Sequence, residues 1–294
     1  MKPTLTQLIA EGKTLVSDGA WGTFLQLKGL QPGECPELWN IDHPEAVLEI
    51  AQGYIDAGAD TIETNSFGGN RFKLEGFGLV DRVFEINRKA AEISRLAAGD
   101  DKYVLGSIGP TGKILMMGDV TGDELYDAFK EQAVALYEGG ADALVIETMT
   151  ALDEAEIAVR AARENTPCEV ICTMTFDYLA TGDYRTMMGV SPSEMVIALK
   201  EAGAHIVGAN CSNGIEGMIH ITKEIRSVDK EIPVLIHANA GLPILQGTCT
   251  VFPESPDMMA AFAPQLARAG ANIIGGCCGT TPEHIHKLVE VLKK

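Results

Sequence analysis

The chain has 294 residues, 46% apolar and 22% charged, which is enough apolar content for a sizeable globular core. Its 23 basic residues face 41 acidic ones, a net charge of −18, and no Lys/Arg run stands out, so nucleic acid and anionic membrane are excluded as expected partners. Seven cysteines, scattered apart from one adjacent pair, suit thiol, metal or catalytic chemistry better than a disulfide framework. The opening stretch MKPTLTQLIAEGK lacks the apolar core of a secretory signal, and no stretch approaches the ~18 apolar residues of a membrane span. A cytoplasmic protein is expected.

Along the chain, eight runs read as strands: 15–20, 61–66, 103–109, 143–149, 170–176, 205–211, 233–239 and 272–278. Most begin with β-branched or apolar residues, as strands covered on both faces should. Helical patterns such as EAVLEIAQGYIDAG, DELYDAFKEQAVALYEGG, LDEAEIAVRAARE and SPSEMVIALKEAG fill the gaps, and Ser191 before Pro192 and Thr281 before Pro282 are good helix starts. One phrase recurs between helix and strand: AGAD at 57–60, GGAD at 139–142, AGAH at 202–205 and AGAN at 269–272. Its glycine suits the left-handed position just past a helix end. Eight such units predict an α/β fold, a single (β/α)8 barrel of the TIM type over residues 1–294, with its active site at the C-terminal strand ends. A doubly wound sheet is the alternative, but it would more often carry fewer strands and a G-x-G-x-x-G after the first, and DGAWG is not that.

The expected strand ends are polar. They offer Asp18, Glu63-Thr64-Asn65, Ser107, Glu147-Thr148, Asn210-Cys211, His237 with Asn239, and Cys277-Cys278. Strands six, seven and eight are neighbours in a barrel wall, so Cys211 and the 277–278 pair should meet at one rim, a soft three-thiolate site suited to Zn²⁺. Adjacent residues point to opposite faces of a strand, so the strand must already be breaking where both cysteines bind one ion. Gly275, Gly276 and Gly279 permit that break. Three protein ligands leave a fourth position open, the pattern of a catalytic zinc, and a thiol substrate would fill it. Asp18 and Glu147 could hold a cationic amine. Cys35, Cys168, Cys172 and Cys249 read as core thiols and the eleven methionines as core filler. His205 reads as structural, His284 and His286 as lying on a solvated or packing helix face, and His237 stays open.

DGAWGT, ETNSFGGNR, SIGPTG, IETM, GANCS, NAGLP and GGCCGTTPEHI, in that order, resemble the homocysteine S-methyltransferase family over roughly residues 5 to 292. The resemblance is strongest to the homocysteine-binding module of its cobalamin-dependent methionine synthase branch. It implies one zinc per chain on Cys211, Cys277 and Cys278, with homocysteine sulfur as the fourth ligand. It also implies that Asp18 and Glu147 engage the amino acid end of homocysteine, in a pocket lined by Gly19, Ala20, Thr64 and Ser107. Asn239 matches an asparagine near the metal, which would occupy the fourth position without substrate. The chain has no D-x-H-x-x-G cobalamin motif, so methylcobalamin is expected on a separate corrinoid protein, with a small direct donor as the other source. Two further possibilities are a subunit of a corrinoid-dependent demethylase acting on another methylated compound and a non-catalytic zinc-binding subunit. The stretch FDYLATGDYRTMMG after strand five, with Tyr178 and Tyr184, should help shape the face where the donor docks.

Overall fold

The computed structural model describes residues 2–246 and 249–293. Eight parallel strands form one sheet in chain order: β1 (Leu15–Val16), β2 (Thr61–Glu63), β3 (Tyr103–Ile108), β4 (Ala143–Met149), β5 (Glu169–Met174), β6 (Ile206–Asn210), β7 (Val234–Ala238) and β8 (Ile273–Gly276). Each pairs with its successor from β2 onward, and β8 pairs with β1. A helix follows every strand: α1 (Pro44–Asp56), α2 (Val83–Ala98), α3 (Gly122–Glu138), α4 (Leu152–Asn165), α5 (Pro192–Glu201), α6 (Ile215–Val228), α7 (Pro256–Ala269) and α8 (Pro282–Leu292). This is the TIM-type α/β barrel. The starts of α3 and α5 carry reciprocal capping boxes, Thr121 with Glu124 and Ser191 with Glu194. No described helix is long and apolar enough to cross a membrane.

The seam between β1 and β2 is closed by side chains where the ladder is short. Asp60 N–H donates to Val16 O at 2.7 Å, and the Asp60 carboxylate accepts from Val16 N–H at 2.9 Å. Higher up, Asp18 Oδ2 accepts from Glu63 N–H at 2.9 Å.

The recurring four-residue phrase explains itself at the lower rim. Gly58, Gly140, Gly203 and Gly270 all have positive φ, between +98° and +116°, a conformation that a Cβ disfavours. The last residue of each phrase then clips two strands together. Asp142, His205 and Asn272 repeat the Asp60 arrangement: backbone N–H to Val104, Val170 and Val234 carbonyls, side chain accepting the same valine's N–H, all at 2.8–2.9 Å. Arg95 and Arg226 cover two of these turns by bonding the Gly140 and Gly270 carbonyls. His205 is thus structural, as expected.

Inside the barrel, side chains change character with height. Leu15, Leu105, Val145, Ile171, Ile206, Leu235 and Ile273 form an apolar floor, plugged from below by Leu5 and Leu8 of the helix Leu5–Ala10. Two residues further along, the inward positions become Ser17, Ser107, Glu147, Thr173 and His237, because strand side chains repeat with period two.

Most strands are shorter than the apolar runs suggested. β1 stops at Val16 rather than residue 20, β2 at Glu63 rather than 66, and β8 at Gly276 rather than 278. Single backbone bonds still run past those ends, from Ser17 N–H to Ile274 O, Gly276 N–H to Asp18 O and Thr64 N–H to Leu105 O, before the chain turns away. The methionines also divide. Met149, Met174, Met195, Met218 and Met259 are core, whereas Met116, Met117, Met187, Met188 and Met258 are exposed and fill nothing. His284 is a buried cap that accepts from Thr281 N–H, and His286 is exposed. Cys35, Cys168 and Cys172 are buried; the Cys249 side chain lies outside the described residues.

Candidate active site

β8 ends at Gly276, so Cys277 and Cys278 sit in the turn that follows, and both sulfurs can serve one centre. Cys277 N–H still bonds Ala238 O at 2.7 Å, while Cys278 O accepts from Ala240 N–H at 3.0 Å. Gly276 lets Thr280 approach: a Cβ there would collide with Thr280 Oγ1. From the other side comes Cys211, one residue past β6, in a left-handed conformation with φ of +62°. A non-glycine residue there stores of order 1–3 kcal/mol of strain, which is typical of functional sites. Thr148 and Ser212, also at strand ends on this rim, have positive φ as well.

The three sulfurs lie within 4.8 Å of one another, and the Cys211 and Cys278 sulfurs are 3.9 Å apart. A tetrahedral zinc with Zn–S bonds of about 2.3 Å needs sulfurs about 3.8 Å apart, so the donor set fits such an ion. Among the protein's own groups, hydrogen bonds from the Cys277 and Cys278 thiols push the Cys211 thiol down, and the same sharing raises its two neighbours. The neighbouring Asn239 amide also favours the Cys211 thiolate, and its own Oδ1 is buried without a partner.

Beside the sulfurs opens a cavity of about 280 Å³. Gly19, Ala20, Thr64, Ser107 and Glu147 line it with the three cysteines; Asp18 and Asn239 are not among its lining residues. Trp21, Glu37, Glu63, Phe67 and His237 complete much of the lining, and no Lys or Arg is among the described lining residues. Glu147 accepts from Ser107 Oγ at 2.5 Å and Asn210 Nδ2 at 3.3 Å. Burial, then the neighbouring Glu63, pushes its carboxyl well above the usual range. Asp18 is fully engaged by Trp21 Nε1, Glu63 N–H and Ser17 Oγ. His237 is buried, which lowers its pKa, and its Nδ1 lies 3.3 Å from Glu63 Oε1 without hydrogen-bond alignment. The arrangement can hold a soft cation and, next to it, a small molecule bearing a cationic group.

The profile of the homocysteine S-methyltransferase family matches residues 15–292. The chain belongs to the homocysteine S-methyltransferase family. This methyltransferase-family enzyme is 33% identical over 294 residues to the methionine synthase of Mycobacterium tuberculosis, covering 94% of this chain and 24% of that protein. It is 32% identical to the methionine synthase of Mycobacterium leprae, covering 96% of this chain and 24% of that one. The chain therefore spans about a quarter of the length of these curated relatives. Among solved structures, the homocysteine methyltransferase MmuM from Escherichia coli superposes in its metallated form with a TM-score of 0.77 at 23% identity, over 96% of this chain and 97% of that chain. Its oxidized form gives 0.78 at 24%, over 98% and 99%. At that identity the likeness is one of fold.

Two lining residues of this family member escaped the sequence motifs as site residues. Glu37 comes from the long connection after β1, where nothing in the spacing marks it; its Oε1 accepts from Gly68 N–H at 2.6 Å. Glu63 was visible at a strand end, and the alternation Thr61, Ile62, Glu63 already aimed it inward.

Proposed function

We propose that this protein is a zinc-dependent S-methyltransferase that methylates homocysteine to methionine in the cytoplasm, using methylcobalamin carried by a separate corrinoid protein. Residues 1–294 would act as one homocysteine-binding barrel unit. The observation that carries this reading is the convergence of three cysteine sulfurs on a cavity lined by carboxylates and by no described Lys or Arg.

Cys211, Cys277 and Cys278 would hold the ion. Asn239, whose buried amide oxygen lacks a partner, is suited to the fourth position before substrate arrives. Bound zinc supplies Lewis acidity that lowers the pKa of an incoming thiol, giving a nucleophile at neutral pH. The chain's own residues do the rest. Glu147, held by Ser107 and Asn210, receives the substrate's ammonium group. The Gly19–Ala20 backbone, Thr64 and Ser107 shape the amino acid end. Asp18 contributes indirectly by fixing Trp21 and the β2 backbone. Trp21, Leu25 and Phe67 keep water from the reacting sulfur, and a fixed sulfur can meet an incoming methyl group in line.

A protein-borne donor is supported by the loops around the mouth. Met116 and Met117 after β3, Tyr178 and Met187 after β5, and Leu242 and Leu245 after β7 are all well exposed, and barrel topology puts these loops on the active-site face. The antiparallel hairpin of Asp177–Tyr178 with Tyr184–Arg185 holds two of the tyrosine rings 5.1 Å apart. Adaptable methionines and aromatic groups suit a protein partner.

The test is zinc content and zinc-edge X-ray spectroscopy on anaerobically purified protein, with and without L-homocysteine. About one zinc per chain that gains a sulfur neighbour on adding homocysteine is the expected outcome. Zinc that ignores homocysteine would shift the substrate to another methylated compound, and a chain without zinc would sink the metal site.

A further inference from the structure

Four carboxyl groups stand at the cavity or just behind it, and they differ in how much of their bonding is already used. Glu37 lines it with both oxygens engaged, accepting from Gly68 N–H and Cys35 Sγ. Asp18 accepts three hydrogen bonds from the protein, from Trp21, Glu63 N–H and Ser17, and does not reach the lining. Glu147 lines the cavity and accepts two, from Ser107 and Asn210. Glu63 lines the cavity, is 7% exposed, and its Oε1 has no hydrogen-bond partner. Beside it, His237 is 2% exposed and its Nε2 is likewise without a partner. Buried polar atoms are almost always satisfied, so two unpartnered atoms on neighbouring residues that both line one cavity mark a place where a bound molecule completes the bonding. No described Lys or Arg in the lining neutralises these carboxyls, so the missing partner must be cationic or a hydrogen-bond donor.

We infer that Glu63 is a second carboxylate, with Glu147, that directly binds the substrate's ammonium group, in the place that the sequence motifs assigned to Asp18. Its position is held by the barrel itself: Ser94 Oγ donates to Glu63 O at 2.8 Å and Asp18 fixes the Glu63 N–H. His237 Nδ1, 3.3 Å from Oε1, limits where the carboxyl can swing. Burial and the nearby Asp18 raise the Glu63 carboxyl well above its usual range, and a cation delivered beside it would favour its ionised form. The inference rests on the homocysteine reading and adds to it the atom pair that distinguishes an α-amino thiol from a plain thiol.

The test compares two thiols on the zinc-loaded protein by anaerobic calorimetry: L-homocysteine, and 4-mercaptobutanoate, which lacks the amine. Wild-type protein should prefer homocysteine. Glu63→Gln, which keeps the shape, should lower that preference about 10- to 100-fold while leaving 4-mercaptobutanoate binding within about threefold, the range for a lost charge-assisted bond. Zinc content should not change, which a merely structural role would not guarantee. An undiminished preference in Glu63→Gln overturns the inference and leaves the homocysteine reading standing. Wild-type protein that binds neither thiol overturns the homocysteine reading, and the inference falls with it. If Glu63→Gln does not fold, Glu63→Asp carries the test. Its carboxyl sits one methylene further back, so the preference should drop, and a preference equal to wild type's overturns the inference.

Discussion

The two rims of the barrel solve opposite problems with the same kind of residue. At the lower rim, Asp60, Asp142, His205 and Asn272 each close a backbone pair, four times in the same geometry. At the upper rim the strand ends differ: β6 and β8 lead into thiols, β7 carries an imidazole, and others bring carboxyls with or without partners. Repetition marks where polar groups are satisfied by the chain. Irregularity, with left-handed Thr148 and Cys211 and orphaned Glu63, His237 and Asn239 atoms, marks where something else must satisfy them. Ionisable residues are informative about function only once their bonding is counted.

Substitutions can break this contrast in order of size. The largest effect on activity should come from Cys278→Ala, which leaves two thiolates: metal content by emission spectroscopy should fall from about one per chain to near zero, with turnover lost, while circular dichroism still shows the barrel. At the lower rim the outcome should reverse. Asp142→Ala strands the Val104 N–H and loosens Arg95, so denaturant melts should show a loss of about 1–3 kcal/mol with metal content unchanged. A smaller effect separates satisfied from unsatisfied acids. The raised Glu63 carboxyl favours the folded state in its protonated form, and that contribution fades as pH rises from the unfolded value of about 4.3 towards the raised folded value. Glu63→Gln should therefore gain in melting temperature over wild type as pH goes from about 5.5 to about 8, and a gain that shrinks with pH would contradict the burial argument. The smallest change in stability should follow Tyr178→Ala. This exposed side chain should matter by less than about 0.5 kcal/mol in a melt, yet methyl transfer from a protein donor should slow while homocysteine affinity holds.

Much of this was legible beforehand, for identifiable reasons. The helix-to-strand phrases exposed half of the eightfold alternation directly, because the positive φ after α1, α3, α5 and α7 leaves a glycine in the sequence. The thiol cluster was legible because three soft ligands at the ends of neighbouring strands seldom converge for packing alone. Less accessible was which acid faces the cavity. Asp18 and Glu63 both end strands, and only coordinates reveal that Asp18 is occupied in closing the β1–β2 seam. Strand lengths were overread because an apolar run does not announce the residue at which the chain turns out of the sheet. The exposed methionines resisted reading for a similar reason: composition is blind to which face of an element, or which loop, a Met occupies.

The cavity wall bears on timing. The segment between β1 and α1 that carries Trp21, Pro36 and Glu37 is tied to several parts of the barrel at once, through Ala20 N–H to Thr280, Asn65 to Pro36 O, Gly68 N–H to Glu37 and Asn40 to Asn65 O. A wall stitched so widely does not swing aside as a flap, so a small substrate would have to enter past the loops of the other strands on this face. A protein donor seated on those loops would close that same route. Under the proposed function, binding would then acquire a compulsory order, amino acid before donor and product only after the donor departs, which steady-state inhibition patterns would display as ordered rather than random kinetics.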